Sequence, residues 1–288
     1  MTHVNWQRST LIPFLFLVLT TAGFCVQVSS VKADPVGGIK INALYDIRFN
    51  GISIGDFKFS SSLSSREYDM DAKASISLIG GMLFDWKGST QSRGTITANG
   101  PKPGNYNFSY RTSDKKEQVS LRFTNNVVTE VSLNPPRGQS GRRIPITQSH
   151  LQNVVDPLSA LVMLSQARTQ AQKNAPCNRR LPIFDGKLRY DLIFSYKEKS
   201  QIDNGGYKGP VHICKVRYEQ IAGHKPGKDD ETLTQANDKI EVWLIPLPEA
   251  DLFVPYKISV PTPAGTASMI TRKFDFTLPS QVKQTLID

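Results

Sequence analysis

The stretch from Ile39 to Phe59, reading IKINALYDIRFNGISIGDFKF, decides the fold of this chain. Its apolar positions run Ile39, Ile41, Ala43, Tyr45, Ile47 and Phe49, while Lys40, Asn42, Asp46 and Arg48 point the other way. A period of two marks a strand with one buried face. Asn50-Gly51 follows, a pair suited to a tight hairpin because both residues accept positive φ. The return arm carries Ile52 and Ile54, then Phe57 and Phe59. Its apolar parity changes at Gly55, which predicts a β-bulge there.

The same alternation recurs along the chain. Tyr68, Met70, Ala72, Ala74, Ile76 and Leu78 lie opposite Glu67, Asp69, Asp71 and Lys73. Leu188, Tyr190, Leu192, Phe194 and Tyr196 form a third run, and shorter ones fall at 106–110, 119–123, 211–218, 240–244, 256–260 and 274–278. Asn99-Gly100, Asn204-Gly205-Gly206 and His224-Lys225-Pro226-Gly227 punctuate them. Many antiparallel strands with one apolar face must curl to bury it. The expected fold is mainly β: a curled antiparallel sheet forming an open β-barrel or spiral.

One segment departs from this period. Asp156-Pro157 reads as an N-cap followed by proline at the first helical position. Leu158, Leu161, Val162, Leu164, Ala167 and Ala171 then recur at helical spacing. The expectation is one substantial helix over about 156–173, packed against the sheet, with Met163 in its apolar arc.

The N-terminus reads as a cleaved secretory signal. Thr2 to Thr10 carries Arg8 and no acid, Leu11 to Val26 is apolar, and Val31-Lys32-Ala33 offers a cleavage site before Asp34. Gln27, Ser29 and Ser30 interrupt any extension to a membrane span. Bulky Phe24 before Cys25 disfavours a lipoprotein anchor. The domain organisation expected is therefore a signal at 1–33 and a single β-rich periplasmic domain at 34–288, with no integral membrane span left after cleavage.

The full chain carries a net charge of +10, and cleavage removes Arg8 and Lys32 with no acid. The remaining excess is scattered among acids along the strands, which reads as a solvated alternating surface. Attraction to anionic head groups or cell-wall polymers is the other reading. No basic helix or aromatic-rich motif supports a nucleic-acid partner. Pro135 to Arg143, reading PPRGQSGRR, is a basic loop: a solvated linker between strand clusters, or a contact for an anionic partner. Loss of Cys25 leaves Cys177 and Cys214, an even pair in an oxidising compartment, so one disulfide is expected. Closing that loop stabilises the fold by roughly 4 kcal/mol in the chain-entropy account.

Several motifs suggest chemistry and fail on context. Gly51-Ile52-Ser53-Ile54-Gly55 matches G-x-S-x-G, but a nucleophile elbow needs a helix after the serine, and a strand follows here. His150, His212 and His224 lack metal-ligand spacing. Asp69 with Asp71, and Asp229-Asp230-Glu231, lack the glycine and glutamate of a calcium loop. No catalytic residue, metal or cofactor is expected. Arg189 and Asp191 share a strand face and read as a structural network. Leu78 to Trp86 is unusually apolar and contains Gly80-Gly81; Met82, Leu83, Phe84 and Trp86 are the candidate apolar ligand mouth, or else core.

Asp156-Pro157-Leu158-Ser159-Ala160-Leu161, Cys177, Phe184-Asp185-Gly186-Lys187-Leu188-Arg189-Tyr190-Asp191, Cys214 and Ile221-Ala222-Gly223 together resemble the family called domain of unknown function 3108. The stretch from Tyr45 to Gly55 resembles that family's start. The resemblance covers most of the chain after the signal and implies a secreted envelope protein of Gram-negative bacteria with no established activity. More distantly, the expected architecture is similar to the helix-containing open β-barrels of periplasmic lipoprotein carriers and envelope-integrity proteins, an analogy of fold.

Two roles follow. One is a non-enzymatic periplasmic binding or carrier protein for a lipid, acyl chain or lipidated partner, contributing to envelope maintenance. The other is a structural or interaction protein of the envelope with a filled core and no small ligand. The first needs an unfilled apolar cavity and the second does not. Oligomeric state is not legible from the sequence.

Overall fold

The computed structural model describes residues 38–78, 84–138, 142–166, 176–203, 207–227, 239–279 and 283–287. The expected signal at 1–33, with its cleavage site, lies outside them, as do Met82 and Leu83. Fourteen strands make one antiparallel sheet. The first seven are β1 (Ile39–Phe49), β2 (Ile52–Leu63), β3 (Glu67–Leu78), β4 (Phe84–Thr97), β5 (Gly100–Arg111), β6 (Lys116–Thr124) and β7 (Val127–Asn134). After the only α-helix among the described residues, α1 (Pro157–Ser165), come β8 (Arg179–Phe184), β9 (Arg189–Asp203) and β10 (Lys208–Ala222). The last four are β11 (Glu241–Leu247), β12 (Leu252–Thr262), β13 (Gly265–Thr277) and β14 (Lys283–Ile287).

The order across the sheet is β7-β6-β5-β4-β3-β2-β1-β13-β12-β11-β10-β9-β8, with β14 on the end of β13. Each half is a meander, and β1 with β13 is the seam. Asn50 and Gly51 turn β1 into β2 at φ 49° and 82°, both in the left-handed region. The pairing slips where Ile47 faces Gly55 and Arg48 faces Ser53. The extra residue is Ile54, so the bulge sits where the parity change put it.

The inner face carries the alternating apolar residues. Ile41, Ala43 and Tyr45 of β1, Tyr68, Met70 and Ala72 of β3, and Val119, Leu121 and Phe123 of β6 are all buried in one cluster. A second cluster gathers Leu181, Ile183, Phe194, Val216, Val242 and Leu244 around Cys177 and Cys214. The helix lies between the two. Leu158 and Val162 belong to the first cluster, and Ala160 and Leu164 to the second. Met163, placed in the apolar arc, packs partly buried against the second.

The helix is shorter than its periodicity suggested. It ends at Ser165, and Gln166 is extended and bridges Leu252 at the start of β12. Spacing alone predicted continuation to about 173, and residues 167–175 lie outside the description. Tertiary pairing overrides propensity at Gln166. Arg179 supplies the end cap, donating to the carbonyls of Met163 and Leu164.

Asp156 holds the other end. Its carboxylate is fully buried and accepts from the backbone N–H of Leu158 and Ser159, both at 3.0 Å. It also accepts from the hydroxyls of Ser159 and of Ser92 on β4. Ser159 is 2.6 Å from the Tyr68 hydroxyl on β3. The cap therefore binds the helix to the sheet as well as to itself, and Pro157 forfeits no hydrogen bond at the first position.

The sheet does not close by pairing β7 with β8. The segment before the helix joins them instead. Gln152 bridges Val127 of β7, and Val155 bridges Ile183 of β8. Val154 N–H donates to Asn126, and Val155 exchanges bonds with Pro182 and Phe184. Cys177 and Cys214 form a disulfide with Cα atoms 5.5 Å apart, tying the chain ahead of β8 to β10 across β9.

Two outcomes are expected. Asp156→Ala should cost about 1–3 kcal/mol by removing a cap and leaving buried donors unpaired. Burial raises the Asp156 carboxyl above the ordinary carboxylate range. The folded state then holds that proton more tightly than the unfolded chain. The stabilisation is complete below the unfolded value and is lost as pH rises from about 4 through the raised folded value. Urea melts of Asp156→Asn across that range should show this loss removed relative to the parent, and parallel slopes would refute it. Separately, Cys177→Ser and Cys214→Ser should each cost about 2–5 kcal/mol, with the double variant little worse, because one bond is lost in all three.

Candidate functional site

Of the candidate mouth, Phe84 and Trp86 fall among the described residues, at the start of β4. Phe84 is 41% exposed and pairs across the hairpin with Leu78, 38% exposed. Trp86 stacks on Tyr110 with centroids 6.0 Å apart. A Cβ on Gly88 would stand 2.4 Å from the Trp86 ring, so glycine at 88 lets the indole lie flat on β4. Neither Phe84 nor Trp86 lines the cavity described next. The sequence joined two properties, apolarity and proximity to glycine, that the fold uses at a strand end.

The cavity lies under the helix. Ile41 and Tyr45 of β1, Phe57, Phe59, Ser61 and Leu63 of β2, and Met70 of β3 form one wall. Leu161 and Val162 of α1 form the lid, and Phe253, Ile258, Met269 and Phe274 of β12 and β13 close the far side. Its volume is about 240 Å³. It exists because the helix, pinned at Asp156, packs on β8, β5 and β4 and reaches β12 instead of dropping onto β1 and β2. Tyr45 and Phe57 meet edge to face at 5.8 Å, which stiffens the wall.

Polar groups around the cavity are almost all committed. The Tyr45 hydroxyl donates to the Pro255 carbonyl at 2.9 Å, and burial raises its pKa, so it stays a neutral donor. Ser165 donates to Val162. The exception is Ser61: its hydroxyl is buried and has no hydrogen-bond partner among the described residues. A buried hydroxyl without a partner is costly, and this one sits in the wall of an apolar space.

The other candidates resolve as structure. Ser53 donates to Asp46 at 2.5 Å on an exposed strand end. Asp191 is buried between Arg180 and Arg189, which both pair with it. His212 lies edge-on to Phe253 at 5.5 Å. Among the described residues no group of three or more His, Cys, Asp or Glu is arranged to hold a metal. Two arginines of the basic loop turn back onto the protein, while Arg142 is exposed. Arg137 donates to the carbonyls of Lys187 and Gly223, and Arg143 adds a bond to Gly223 at 3.5 Å.

Sequence reasoning missed Ser61, Leu161 and Met269 as site residues. Phe57 and Phe59 were legible as an inner strand face, but no pattern along a chain reports space left unfilled.

The fold defines the class: a mainly β protein with an open, curled antiparallel sheet and one α-helix among the described residues. The profile of the family described as protein of unknown function (DUF3108) matches residues 44–272. The chain belongs to that family. A solved structure from Brucella abortus, a β-barrel-like protein of domain of unknown function DUF1849, is similar in fold. The TM-score is 0.51 at 11% identity, covering 84% of this chain and 99% of that one. No curated protein matches the chain.

Ser61→Ala should stabilise the ligand-free protein by about 1–2 kcal/mol, since it removes a desolvated hydroxyl with no partner to lose. Chemical denaturation of parent and variant measures it. A loss of similar size would mean that Ser61 has a partner in solution.

Proposed function

We propose that this protein is a non-enzymatic binding or carrier protein of the bacterial envelope, and that the cavity under α1 holds an acyl chain or the lipid part of a partner. The observation that carries this reading is an apolar cavity of about 240 Å³ whose buried Ser61 hydroxyl lacks a partner. Dry apolar cavities of ~150 Å³ already bind small apolar molecules. An open apolar concavity keeps its lining in contact with water, which an acyl chain would displace favourably. A filled-core interaction protein has no use for such a space, whereas a carrier does. Ser61 would then donate to a carbonyl or carboxyl oxygen at the head of the chain.

A periplasmic location fits two observations. The Cys177–Cys214 disulfide suits an oxidising compartment. Among the described residues no helix is long and apolar enough to cross a membrane. The secretory signal read in the first 33 residues agrees with this. Family membership carries no activity by itself.

Native mass spectrometry of the protein purified from the periplasm should reveal a lipid-sized adduct, and a fluorescent fatty acid should bind the delipidated protein. Leu161→Trp, which fills the cavity from the helix, should weaken probe binding by about tenfold or more, in proportion to the lost apolar contact. Phe84→Ala should leave binding intact. Absence of both adduct and probe binding in the parent would favour the interaction role.

A further inference from the structure

The outer face of the sheet carries a feature that the linear sequence scatters. Lys58 of β2, Lys73 of β3, Lys87 of β4, Arg111 of β5 and Lys116 of β6 place one exposed cation on each of five consecutive strands. Register brings them side by side. Lys58 lies directly opposite Lys73, Lys87 opposite Arg111, and Arg111 opposite Lys116. At the usual strand spacing the stripe is about 19 Å long. It borders a shallow groove whose floor includes Ser75, Ser89 and Ser109.

Like charges directly opposite each other destabilise a sheet, so three such pairs in one stripe stand against local stability. Three acids border the stripe: Asp56, at the groove's edge, accepts from Ser75; Asp71, on the same face beside Lys58 and Lys73, accepts from Gln91; and Asp85 lies 3.5 Å from Lys87. Lys58, Lys73, Arg111 and Lys116 have no ion pair among the described residues.

We propose that this stripe docks the protein on an anionic phospholipid bilayer. The cations stand on long side chains across an open sheet face, with no wall to enclose a small ion. A free phosphate would reach one or two of them. A fluid bilayer can bring a mobile phosphate to each, and each cation near such a surface adds to binding. The stripe faces away from the apolar cavity, so this inference stands without the carrier reading.

Sedimentation with vesicles tests it. The purified protein should bind vesicles of phosphatidylcholine with phosphatidylglycerol, release at high salt, and ignore phosphatidylcholine alone. The triple variant Lys87→Gln, Arg111→Gln, Lys116→Gln should lower the partition coefficient on the order of 100-fold, with an unchanged or raised melting temperature. A control with the same charge change on the other half, Lys199→Gln, Lys215→Gln, Lys225→Gln, should lower it by less than about threefold, because charges beyond a Debye length of the surface are screened. Equal losses in both triples would show that net charge alone acts and would overturn the proposal. So would failure of the parent to bind the anionic vesicles, or binding to soluble polyphosphate without binding to vesicles. Fatty-acid binding by the triple variant is a separate readout, expected to match the parent.

Discussion

The buried carboxylate of Asp156 is the constraint on which the rest of the architecture depends. A carboxyl group taken out of water costs several kcal/mol unless donors surround it, and here two backbone amides and two hydroxyls do so. Those donors come from the helix start and from β4, with Tyr68 of β3 joined through Ser159. The helix is therefore held at a set height above the sheet. Its two sides feed two core clusters. The space beneath it, between β1–β3 and β12–β13, is the consequence.

Holding the curl open without a closed barrel leaves β7 and β8 at the two ends of the strand order, and exposed edges invite aggregation. The chain manages this with its own connector. Gln152 to Val155 contacts β7 on one side and β8 on the other. The β8–β9 turn adds to the junction: Lys187 pairs with Glu117 of β6, and Arg137 grips the Lys187 carbonyl. Asp185 shapes that turn by accepting from Lys187 and Leu188. The disulfide then fixes the approach to β8 from the far side. The junction and the helix cap are adjacent in sequence, so one short segment both joins the edges and sets the cavity.

The two faces of the curled sheet divide the chemistry. Period two sends Tyr68, Met70 and Ala72 inward and Lys73 outward from the same strand. The inner face makes an apolar cavity with one uncommitted hydroxyl. The outer face collects cations, with Lys58 standing between the cavity-lining Phe57 and Phe59 of the same strand. A lipid-handling role uses both surfaces, since a carrier must approach a membrane before it exchanges an acyl chain.

By itself the sequence determined ten of the described strands in part or whole, but not β4, β7, β8 or β14. It also determined the Asn50-Gly51 hairpin, the bulge at Ile54-Gly55, the helix start at Asp156-Pro157 and the Cys177–Cys214 pair, because each rests on local periodicity, turn chemistry or counting. It showed Arg189 and Asp191 on one strand but not Arg180 completing their network. The helix end at Ser165, the cavity under Leu161, the uncommitted Ser61 and the clamp role of Arg137 were decided only by tertiary structure. So was most of the cationic stripe: Arg111 and Lys116 face each other across one hairpin, but Lys58, Lys73, Lys87 and Arg111 lie 15, 14 and 24 residues apart until β2–β5 come into register. Periodicity says which face a residue takes. Which neighbour stands beside it, and whether the space between is filled, depends on strand register and on where the helix is pinned.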